Sequence, residues 1–513
     1  MNVLALPVLL PLFAGALLLL VPSRLARFTG SSLAAALTLA VSLNILSRTL
    51  SGEVIVVQMA GWPAPWGISL VADALSGIML ALSGAVGLLC VLFAGSSLQH
   101  APRHGVSAAL NTARERFGAQ ALLQFLFMGV NMAFLTGDLF NLFVAFEVML
   151  IASYGLLLLG SELPQLREGF KYVVVNLVAS AMFVVAAGFA YGLFGTLNMA
   201  DIAQRVAAHG ADPRTTLVAA LLALVFATKA ALFPLGFWLP NAYPTPAAAI
   251  SAFFAALLTK VGAYTLIRTF TLMFPEETGV QTVLLVLAGF TLLVGALGAI
   301  ARQRWRHALA FANVSSIAYL VLGAFTSKAG LGAALYYLIH SVLLIFALFL
   351  IAALAEKIAG ESYQDGGHLS VYPWLGVGFF ICALALAGLP PTSGFIGKYA
   401  LIVALLARGG GLYTGLAVSA VVTGFLLLYA AIQIWRGFFW GESDAVHRVS
   451  LPGGMRVVTG IAVAAVALLS VFSGPVFNAT RRAAEQMNSS AYVDAVLTEA
   501  RESEDASAER EGP

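Results

Sequence analysis

Charged residues are scarce in this sequence. Asp, Glu, Lys and Arg make up only 10% of the 513 residues, whereas a typical soluble domain contains about 25%. Hydrophobic residues make up 60%. Apolar runs of roughly 18 to 25 residues, each long enough to span a bilayer, recur from one end to the other. These features exclude an ordinary soluble protein and predict an all-α polytopic membrane protein.

Cysteines and cofactor motifs are also scarce. The two cysteines, Cys90 and Cys382, lie in separate apolar runs, which favours neither a disulfide framework nor a metal site. The sequence has no GxxxxGKS/T phosphate loop, no GxGxxG at a strand-to-helix turn, and no haem or iron–sulfur spacing. We therefore expect no cofactor, no ATP-driven transport and no cofactor-bound redox chemistry in this chain. The net charge of +3 gives no reason to expect nucleic acid.

The apolar runs predict about 14 transmembrane helices. They lie at approximately residues 3–21, 28–48, 74–95, 119–137, 139–160, 170–194, 214–238, 246–270, 278–301, 308–326, 330–355, 373–406, 412–436 and 455–477. The first run lacks the basic start and the small-residue cleavage site of a signal peptide, so we interpret it as a span. The polar tail ends in ARESEDASAEREGP, which is typical of a solvated, partly disordered segment.

Lys and Arg residues in the loops predict the orientation, because cytoplasmic loops carry the excess of positive charge. Alternate loops divide these residues about 14 to 6. The rich set is Arg24, Arg27, Arg103, Arg114, Arg116, Arg167, Lys171, Arg302, Arg304, Arg306, Lys357, Arg436, Arg448 and Arg456, and the poor set is Arg48, Arg205, Arg214, Arg268, Lys328 and Arg408. Both termini should therefore lie on the outer side of a bacterial cell membrane. The run RQRWRH, at 302–307, should be a cytoplasmic anchor.

Five ionisable groups lie deep inside apolar runs. They are Glu147 (in FNLFVAFEVMLIASYG), Lys229, Lys260, His340 and Lys398. An ionisable group in hydrocarbon costs a few kcal/mol or more unless it is paired or hydrated. Burial disfavours the charged form and a nearby opposite charge favours it, so such groups can be poised to gain and lose protons. A set of them indicates a path for protons or ions.

Simpler explanations exist for single members of this set. Glu147 could hydrogen-bond a neighbouring helix, or form a static ion pair with one lysine. His340 could be a satisfied core histidine. Asp138, at the outer mouth of the fifth span, is more simply a helix-start residue than a ligand. However, three buried lysines cannot all pair with one buried carboxylate, and this excess of base favours a proton or ion path.

The spacing of two lysines places them at a similar depth. Lys229 and Lys260 flank the short connection WLPNAYPTP, Trp238 to Pro246, at roughly 13 and 18 residues from its middle. On adjacent antiparallel helices, with a rise of about 1.5 Å per residue, these distances nearly match. We therefore expect a horizontal row of bases near the middle of the membrane.

Prolines stand near two of the lysines. Pro234 follows Lys229 by five residues, and Pro390 and Pro391 precede Lys398 by eight and seven. A proline inside a span removes a backbone hydrogen bond and can unwind the helix, so that freed carbonyls face a cavity. An ordinary kink is the alternative. The two broken spans are the seventh and the twelfth, and this separation of five predicts two inverted five-helix repeats.

The predicted organisation follows from these spans and repeats. It consists of an N-terminal three-helix segment (1–118), a first five-helix repeat (119–270), a second five-helix repeat (278–436), a final transmembrane helix (437–477) and a polar tail (478–513).

Three long motifs resemble a known family. GDLFNLFVAFEVMLIASYGLLL, TKAALFPLGFWLPNAYPTPAAAISAFFAALLTKVGAY and GLPPTSGFIGKYAL are similar to segments of the antiporter-like membrane subunits of respiratory complex I and its relatives. The strongest likeness is to the D subunits of Mrp-type multisubunit Na+/H+ antiporters, which LFGTLNMADIA also resembles. The resemblance covers nearly the whole chain.

The resemblance implies a fold, a site and partners. The fold would have 14 helices and two inverted five-helix repeats, with the seventh and twelfth helices broken. The family's fifth-helix glutamate falls on Glu147, its seventh- and eighth-helix lysines on Lys229 and Lys260, its eleventh-helix histidine on His340 and its twelfth-helix lysine on Lys398. In the family these groups form a hydrated axis that carries protons. The subunit would work only in a complex with other membrane proteins.

Two positions depart from the family pattern. Many relatives carry a second basic residue in the eleventh helix, five positions after the histidine, where this chain has Ile345. Many also have His or Gln in the tenth helix, where this chain has Ser316. The stretch from His340 towards Lys398 therefore has fewer polar groups than usual, and water or hydroxyl groups would have to bridge it.

The sequence-based hypothesis is a proton-translocating subunit of a Na+/proton antiporter. Glu147 and Lys229 would act as a switch, because an approaching carboxylate favours the charged lysine. Lys260 and His340 would pass protons towards Lys398 as the terminal site, with Na+ coupling elsewhere in the complex. The alternatives are a proton-pumping subunit of an NADH:quinone oxidoreductase or membrane hydrogenase, a non-transporting scaffold subunit, and a self-sufficient carrier of a small solute.

Overall fold

The computed structural model describes residues 3–99, 118–159, 163–210, 212–361, 369–440 and 449–498. Four basic residues of the orientation prediction, Arg103, Arg114, Arg116 and Arg448, lie outside the described residues, as does the acid-rich end of the tail. Within the described ranges the chain is mostly helical, as expected where lipid offers the backbone no hydrogen bonds. The prediction of an all-α polytopic membrane protein is confirmed.

The helices are numbered here along the chain. Helices α1 to α6 are Leu6–Leu20, Arg24–Leu50, Ala74–Gln99, Ala119–Leu135, Leu139–Leu158 and Leu163–Phe194. Helices α7 to α11 are Pro213–Lys229, Ala248–Met273, Thr278–Ile300, Trp305–Ala324 and Lys328–Ala359. Helix α12 has two pieces, α12a (Pro373–Ala387) and α12b (Ser393–Arg408), and α13 to α15 are Gly411–Phe438, Gly453–Val471 and Ser473–Met487.

Shorter elements connect these helices. They are the 3-10 turns Val3–Ala5 and Met59–Gly61, the strands β1 (Ile55–Gln58) and β2 (Ser69–Ala72), the surface helix Met199–His209 and the helical turn Leu239–Ala242. The two strands pair antiparallel, with Ile55 opposite Ala72. The hairpin, the surface helix and α15 lie on one side of the molecule, which we call the hairpin side.

Eleven described segments are helical, long and apolar enough to cross a membrane. The predicted fourth, seventh and twelfth spans fall short of that criterion and coincide with α4, α7 and the two pieces of α12. Each predicted run thus contains helix, although the seventh and twelfth also contain non-helical residues. The total of 14 spans, the inverted repeats and the domain boundaries stay predictions.

The chain leaves helical geometry beside the prolines that the sequence singled out. Helix α7 ends at Lys229, and the chain passes through Pro234 in turns before it reaches Leu239. Helix α12a ends at Ala387, and Pro390 and Pro391 separate it from α12b. Each interruption lies next to a buried lysine.

The helices that carry the five ionisable groups pack in a continuous series. Helix α5 packs on α6, α6 on α7, α7 on α8, and α8 on α10, which in turn contacts α11 and α12b. Helix α8 is buried along nearly its whole length, whereas only about a quarter of the residues of α1 and α2 are buried. The series therefore runs through the middle of the molecule, and the first two helices lie at its edge.

Helix α15 differs from the polar tail that the composition predicted at 478–513. Its buried residues, Thr480, Ala483, Ala484 and Met487, recur at helical spacing and pack against α11 and α3. The Gln486 side chain accepts a hydrogen bond from the Ala74 nitrogen at 3.2 Å and donates one to the Gly52 carbonyl at 3.1 Å. This polar segment is therefore an amphipathic helix, with one apolar face that packs on the membrane helices.

Candidate functional site

Lys229 forms no ion pair with a carboxylate within the part of the chain that the structure describes. Its ammonium donates a hydrogen bond to the Ser180 hydroxyl of α6 at 3.2 Å. It also lies 4.8 Å from the centre of the Phe146 ring, a distance at which the ring face attracts a cation. The residue is 4% exposed. The last residue of α7 is thus a buried amine whose hydrogen bond and ring contact are both with neutral groups.

Glu147 lies beside this amine on α5, directly after Phe146. It is half-buried, and its Oε1 atom is buried with no hydrogen-bond partner among the described residues. Within the part of the chain that the structure describes, no ion pair of 4.0 Å or less joins Glu147 to a basic group. The static ion pair weighed from the sequence is therefore not formed in this structure.

Lys260 lies close to the broken end of α7. Two residues after it, Gly262 packs so tightly that a Cβ atom there would lie 2.5 Å from the Ala230 nitrogen and 2.7 Å from the Lys229 carbonyl carbon. Only glycine permits this approach of the two backbones. It brings the helices that carry Lys229 and Lys260 together at the level of both lysines, in agreement with the depth that the spacing predicted.

The Lys260 ammonium is fully buried and points to α10. It donates hydrogen bonds to the Asn313 Oδ1 atom and to the Ala255 carbonyl, the latter at 3.0 Å. Ala255 belongs to the segment Phe254–Leu258, where α8 widens into a π-helical turn, a feature that often marks functional sites. Asn313 was missed by sequence reasoning. An amide inside the apolar run of α10 was the signal that could have found it.

One face of α10 connects Lys260 to Lys398. The face carries Asn313, Ser316 and Tyr319, three residues apart, and the Ser316 hydroxyl bonds the Asn313 Oδ1 atom at 3.2 Å. The Lys398 ammonium lies 4.9 Å from the centre of the Tyr319 ring. Asn313, Ser316 and Tyr319 thus form a polar row on α10, which we call the α10 row.

His340 contacts the start of α12b. Its Nδ1 atom is 2.9 Å from the Ser393 hydroxyl, and its ring packs against Tyr337 with 5.3 Å between centroids. Its Nε2 atom is buried and has no hydrogen-bond partner among the described residues. Ile345 is fully buried on the same helix. The hydroxyls of Ser393, Ser316 and Tyr319 therefore lie in the region between His340 and Lys398, where the sequence showed few polar groups.

Lys398 caps the first half of the broken helix. Its ammonium donates hydrogen bonds to the Leu386 and Ala387 carbonyls at 2.7 and 3.2 Å. These carbonyls lie at the C-terminus of α12a, whose dipole favours a cation. The interruption at Pro390 and Pro391 thus supplies freed carbonyls for the lysine. A mainly apolar cavity of about 190 Å³ between α12 and α13 reaches the same side chain.

A polar vestibule of about 750 Å³ opens on the side opposite the hairpin. It is lined by Gln165, Arg167, Glu168, Lys171, Asn241, Pro244, Thr245, Arg304, Arg306, His307, Glu356 and Glu361, among others. The Arg306 guanidinium pairs with Glu356 at 2.8 Å and donates to the Pro244 carbonyl at 2.7 Å. Arg306, expected to be a simple anchor, thus fixes the connection between the helices of Lys229 and Lys260.

Asp138 has the role that the sequence predicted. Its carboxylate accepts a hydrogen bond from the Asn141 nitrogen at 2.8 Å and caps α5. Arg268, in contrast, was counted as a loop charge and instead lies buried at the end of Thr259–Arg268, paired with Asp73. It therefore contributes no loop charge to the predicted orientation.

Comparison with known proteins places this arrangement in a family. Residues 136–425 match the family model described as NADH:quinone oxidoreductase/Mrp antiporter, TM. The chain is 38% identical to the D subunit of the Na(+)/H(+) antiporter of Alkalihalophilus pseudofirmus, over 97% of this chain and 100% of the relative. It is 36% identical to the protein of the same name from Bacillus subtilis, over 97% and 100%.

A solved structure agrees with these relatives. A chain in the structure of the Mrp complex from Dietzia sp. DQ12-45-1b superposes with a TM-score of 0.86 at 29% identity, over 97% of this chain and 100% of that one. The chain therefore belongs to the NADH:quinone oxidoreductase/Mrp antiporter transmembrane family. It is related throughout its length to the D subunits of Na+/H+ antiporters.

Proposed function

We propose that this chain translocates protons as one subunit of a multisubunit Na+/proton antiporter, together with other membrane subunits. The observation that carries the proposal is the series of ionisable groups on successive packed helices, from the half-buried Glu147 through the buried Lys229, Lys260 and His340 to Lys398. Its relatives are named as D subunits of Na(+)/H(+) antiporters, which supports cation exchange. The Mrp complex that contains its structural neighbour supports assembly with partners.

Glu147 and Lys229 are the proposed switch. A carboxylate that approaches a buried lysine favours the protonated form, and one that withdraws favours release of the proton. Among the described residues, Lys229 has no carboxylate within ion-pair distance, and Glu147 has one buried oxygen without a hydrogen-bond partner. A movement of Glu147 towards Lys229 would load the amine, and its withdrawal would pass the proton on.

The rest of the route runs along α10 and α11. Lys260 hands the proton to water or hydroxyl groups beside Asn313 and Ser316, and His340 with Ser393 provides a parallel link to α12b. Lys398 is the terminal site. Among the described residues its ammonium contacts backbone carbonyls and an aromatic face and forms no ion pair, so it can leave these contacts without separating two charges.

Protons would be taken up from the cytoplasm through the vestibule, which opens beside the connection between α7 and α8. Apart from the buried lysines and Arg268, the helix ends and loops on that side carry ten of the described Lys and Arg residues, against seven on the hairpin side, which supports a cytoplasmic location under the positive-inside rule. The hairpin side would then face outwards, with both termini on it. The membrane would be the bacterial cell membrane.

The proposal is tested with inverted membrane vesicles that contain the whole complex. A pH gradient is formed, Na+ is added, and the gradient is followed with a fluorescent dye. We expect Na+ to dissipate the gradient. If Na+ has no effect and the complex instead builds a gradient when supplied with NADH or another reductant, the redox-driven alternative replaces this proposal.

Asn313 provides a test of the α10 row. We expect Asn313→Ala to slow Na+-dependent exchange by about tenfold, because Lys260 loses the polar group that receives its ammonium. The matched control is Asn131→Ala, which removes another buried amide, hydrogen-bonded to the Pro7 carbonyl and away from the row. Equal losses of exchange per assembled complex in both variants would argue against a transport role for Asn313.

A further inference from the structure

A buried ion pair closes the hairpin-side end of α8. The Arg268 guanidinium donates two hydrogen bonds to the Asp73 carboxylate, at 2.7 and 2.6 Å. The two side chains are 4% and 2% exposed. Asp73 also caps α3 by accepting from the Ser76 nitrogen at 3.0 Å. Because burying two charges is costly, such a pair is weak evidence for stability and invites a functional explanation.

The pair lies on the same face of α8 as Lys260. Lys260, Tyr264 and Arg268 follow one another at intervals of four residues, which places them in one row along the helix. The Tyr264 hydroxyl donates to the Phe134 carbonyl at 2.8 Å and lies 3.2 Å from the Ser76 hydroxyl. Polar groups therefore continue from the middle of the membrane to the ion pair.

The C-terminal segment covers the pair. The Tyr492 ring lies 4.9 Å from the centre of the Arg268 guanidinium, and the residue is 5% exposed. The Val496 carbonyl accepts a hydrogen bond from the Gln58 side chain at 3.4 Å, which fixes the segment to the hairpin. The Tyr492 hydroxyl also packs against Gly137. A Cβ atom on Gly137 would lie 3.1 Å from that hydroxyl.

We propose that the Asp73–Arg268 pair, covered by Tyr492, is a barrier to proton leakage. It keeps protons at Lys260 from passing along the Tyr264 face of α8 to the hairpin side. This inference rests on the proposed proton translocation. A fixed guanidinium in a narrow polar passage repels protons and other cations. Asp73 keeps that guanidinium in place, and the aromatic ring of Tyr492 excludes water from its outer face. Arg268 is thus a positioning and barrier residue that does not itself carry the proton.

The test is the decay of a pH gradient without added Na+, in vesicles that contain the whole complex. The variant is Asp73→Asn with Arg268→Gln, which removes both charges together and so leaves no unpaired buried ion. We expect the decay per assembled complex to accelerate by about threefold or more, because the electrostatic barrier is lost. Adding Lys260→Ala to this variant should return the decay to the wild-type rate.

A matched control uses another Asp–Arg pair on the hairpin side. Asp201 and Arg205 pair at 3.0 Å in the surface helix, where Arg205 is partly exposed. Asp201→Asn with Arg205→Gln should leave the decay unchanged. Tyr492→Ala, which alters only the cover, should accelerate the decay and provides a second variant if the double variant does not assemble.

Two results would overturn the inference. One is a wild-type decay rate in assembled Asp73→Asn/Arg268→Gln and Tyr492→Ala complexes. The other is an accelerated decay that persists after Lys260→Ala, which would place the leak on another route. Failure of the proposed function is a separate result, since it would appear as absence of Na+-dependent exchange in the wild-type vesicles.

Discussion

Lys229→Ala is expected to abolish Na+-dependent proton exchange, lowering the rate per assembled complex by about a hundredfold or more, as when a proton-transfer group is removed. The complex should still assemble. Among the described residues the ammonium contacts the Ser180 hydroxyl and the Phe146 ring and forms no ion pair, so its loss leaves no buried charge there without a partner. The measurement is gradient dissipation by Na+ in inverted vesicles, with the amount of each protein of the complex determined in the same preparation.

Two further variants give this prediction its specificity. Lys229→Arg retains the positive charge but cannot release a proton under these conditions, so it should be as inactive as Lys229→Ala. Lys328→Ala removes an exposed lysine at the start of α11 and should leave exchange unchanged. Exchange at the wild-type rate in assembled Lys229→Ala complexes would remove Lys229 from the proposed route. Activity of Lys229→Arg alone would assign it a fixed electrostatic role.

The sequence predicted the helical fold because its main determinant is local. Apolar runs form helices in lipid, and a proline inside a run removes a helical hydrogen bond, so breaks beside Lys229 and Lys398 could be predicted from residue type and spacing, with a kink as the alternative. The relative depth of Lys229 and Lys260 followed from helical rise and a short connection. In the structure, the tight contact at Gly262 holds the two helices together at that depth.

What the sequence could not predict depends on helix rotation and on distant contacts. Asn313 and Tyr319 join Lys260 and Lys398 only because α10 turns one particular face towards both lysines. Asp73 and Arg268 pair across 195 positions of the chain, and an arginine near the end of an apolar run is easily mistaken for a loop charge. In each case the residue type was visible and its partner was not.

The C-terminal segment shows a related limit of composition. The sequence predicted a polar tail from residue 478 onwards, yet Thr480, Ala484 and Met487 form a buried stripe that packs on the membrane helices. The stripe is only one helical face, so average polarity conceals it. Tyr492, which covers Arg268, follows that helix and was not a candidate on sequence grounds.

Glu147→Gln is expected to abolish Na+-dependent exchange to a similar extent, about a hundredfold in rate, because an isosteric amide cannot stabilise a charged Lys229. Assembly should be unaffected, since Glu147 makes no ion pair whose partner would be left uncompensated among the described residues. The matched control is Glu276→Gln, which changes an exposed glutamate on the hairpin side. Glu147→Ala should behave as Glu147→Gln.

The double variant Glu147→Gln/Lys229→Ala decides between a switch and a structural pair. If the two groups act together on one proton, the double variant should be no less active than either single variant, because groups that work as a unit lose their effect only once. If the pair instead served assembly, single variants would reduce the amount of complex, and removing both partners would restore it. Normal amounts of inactive complex in all three variants would therefore assign both residues to proton transfer.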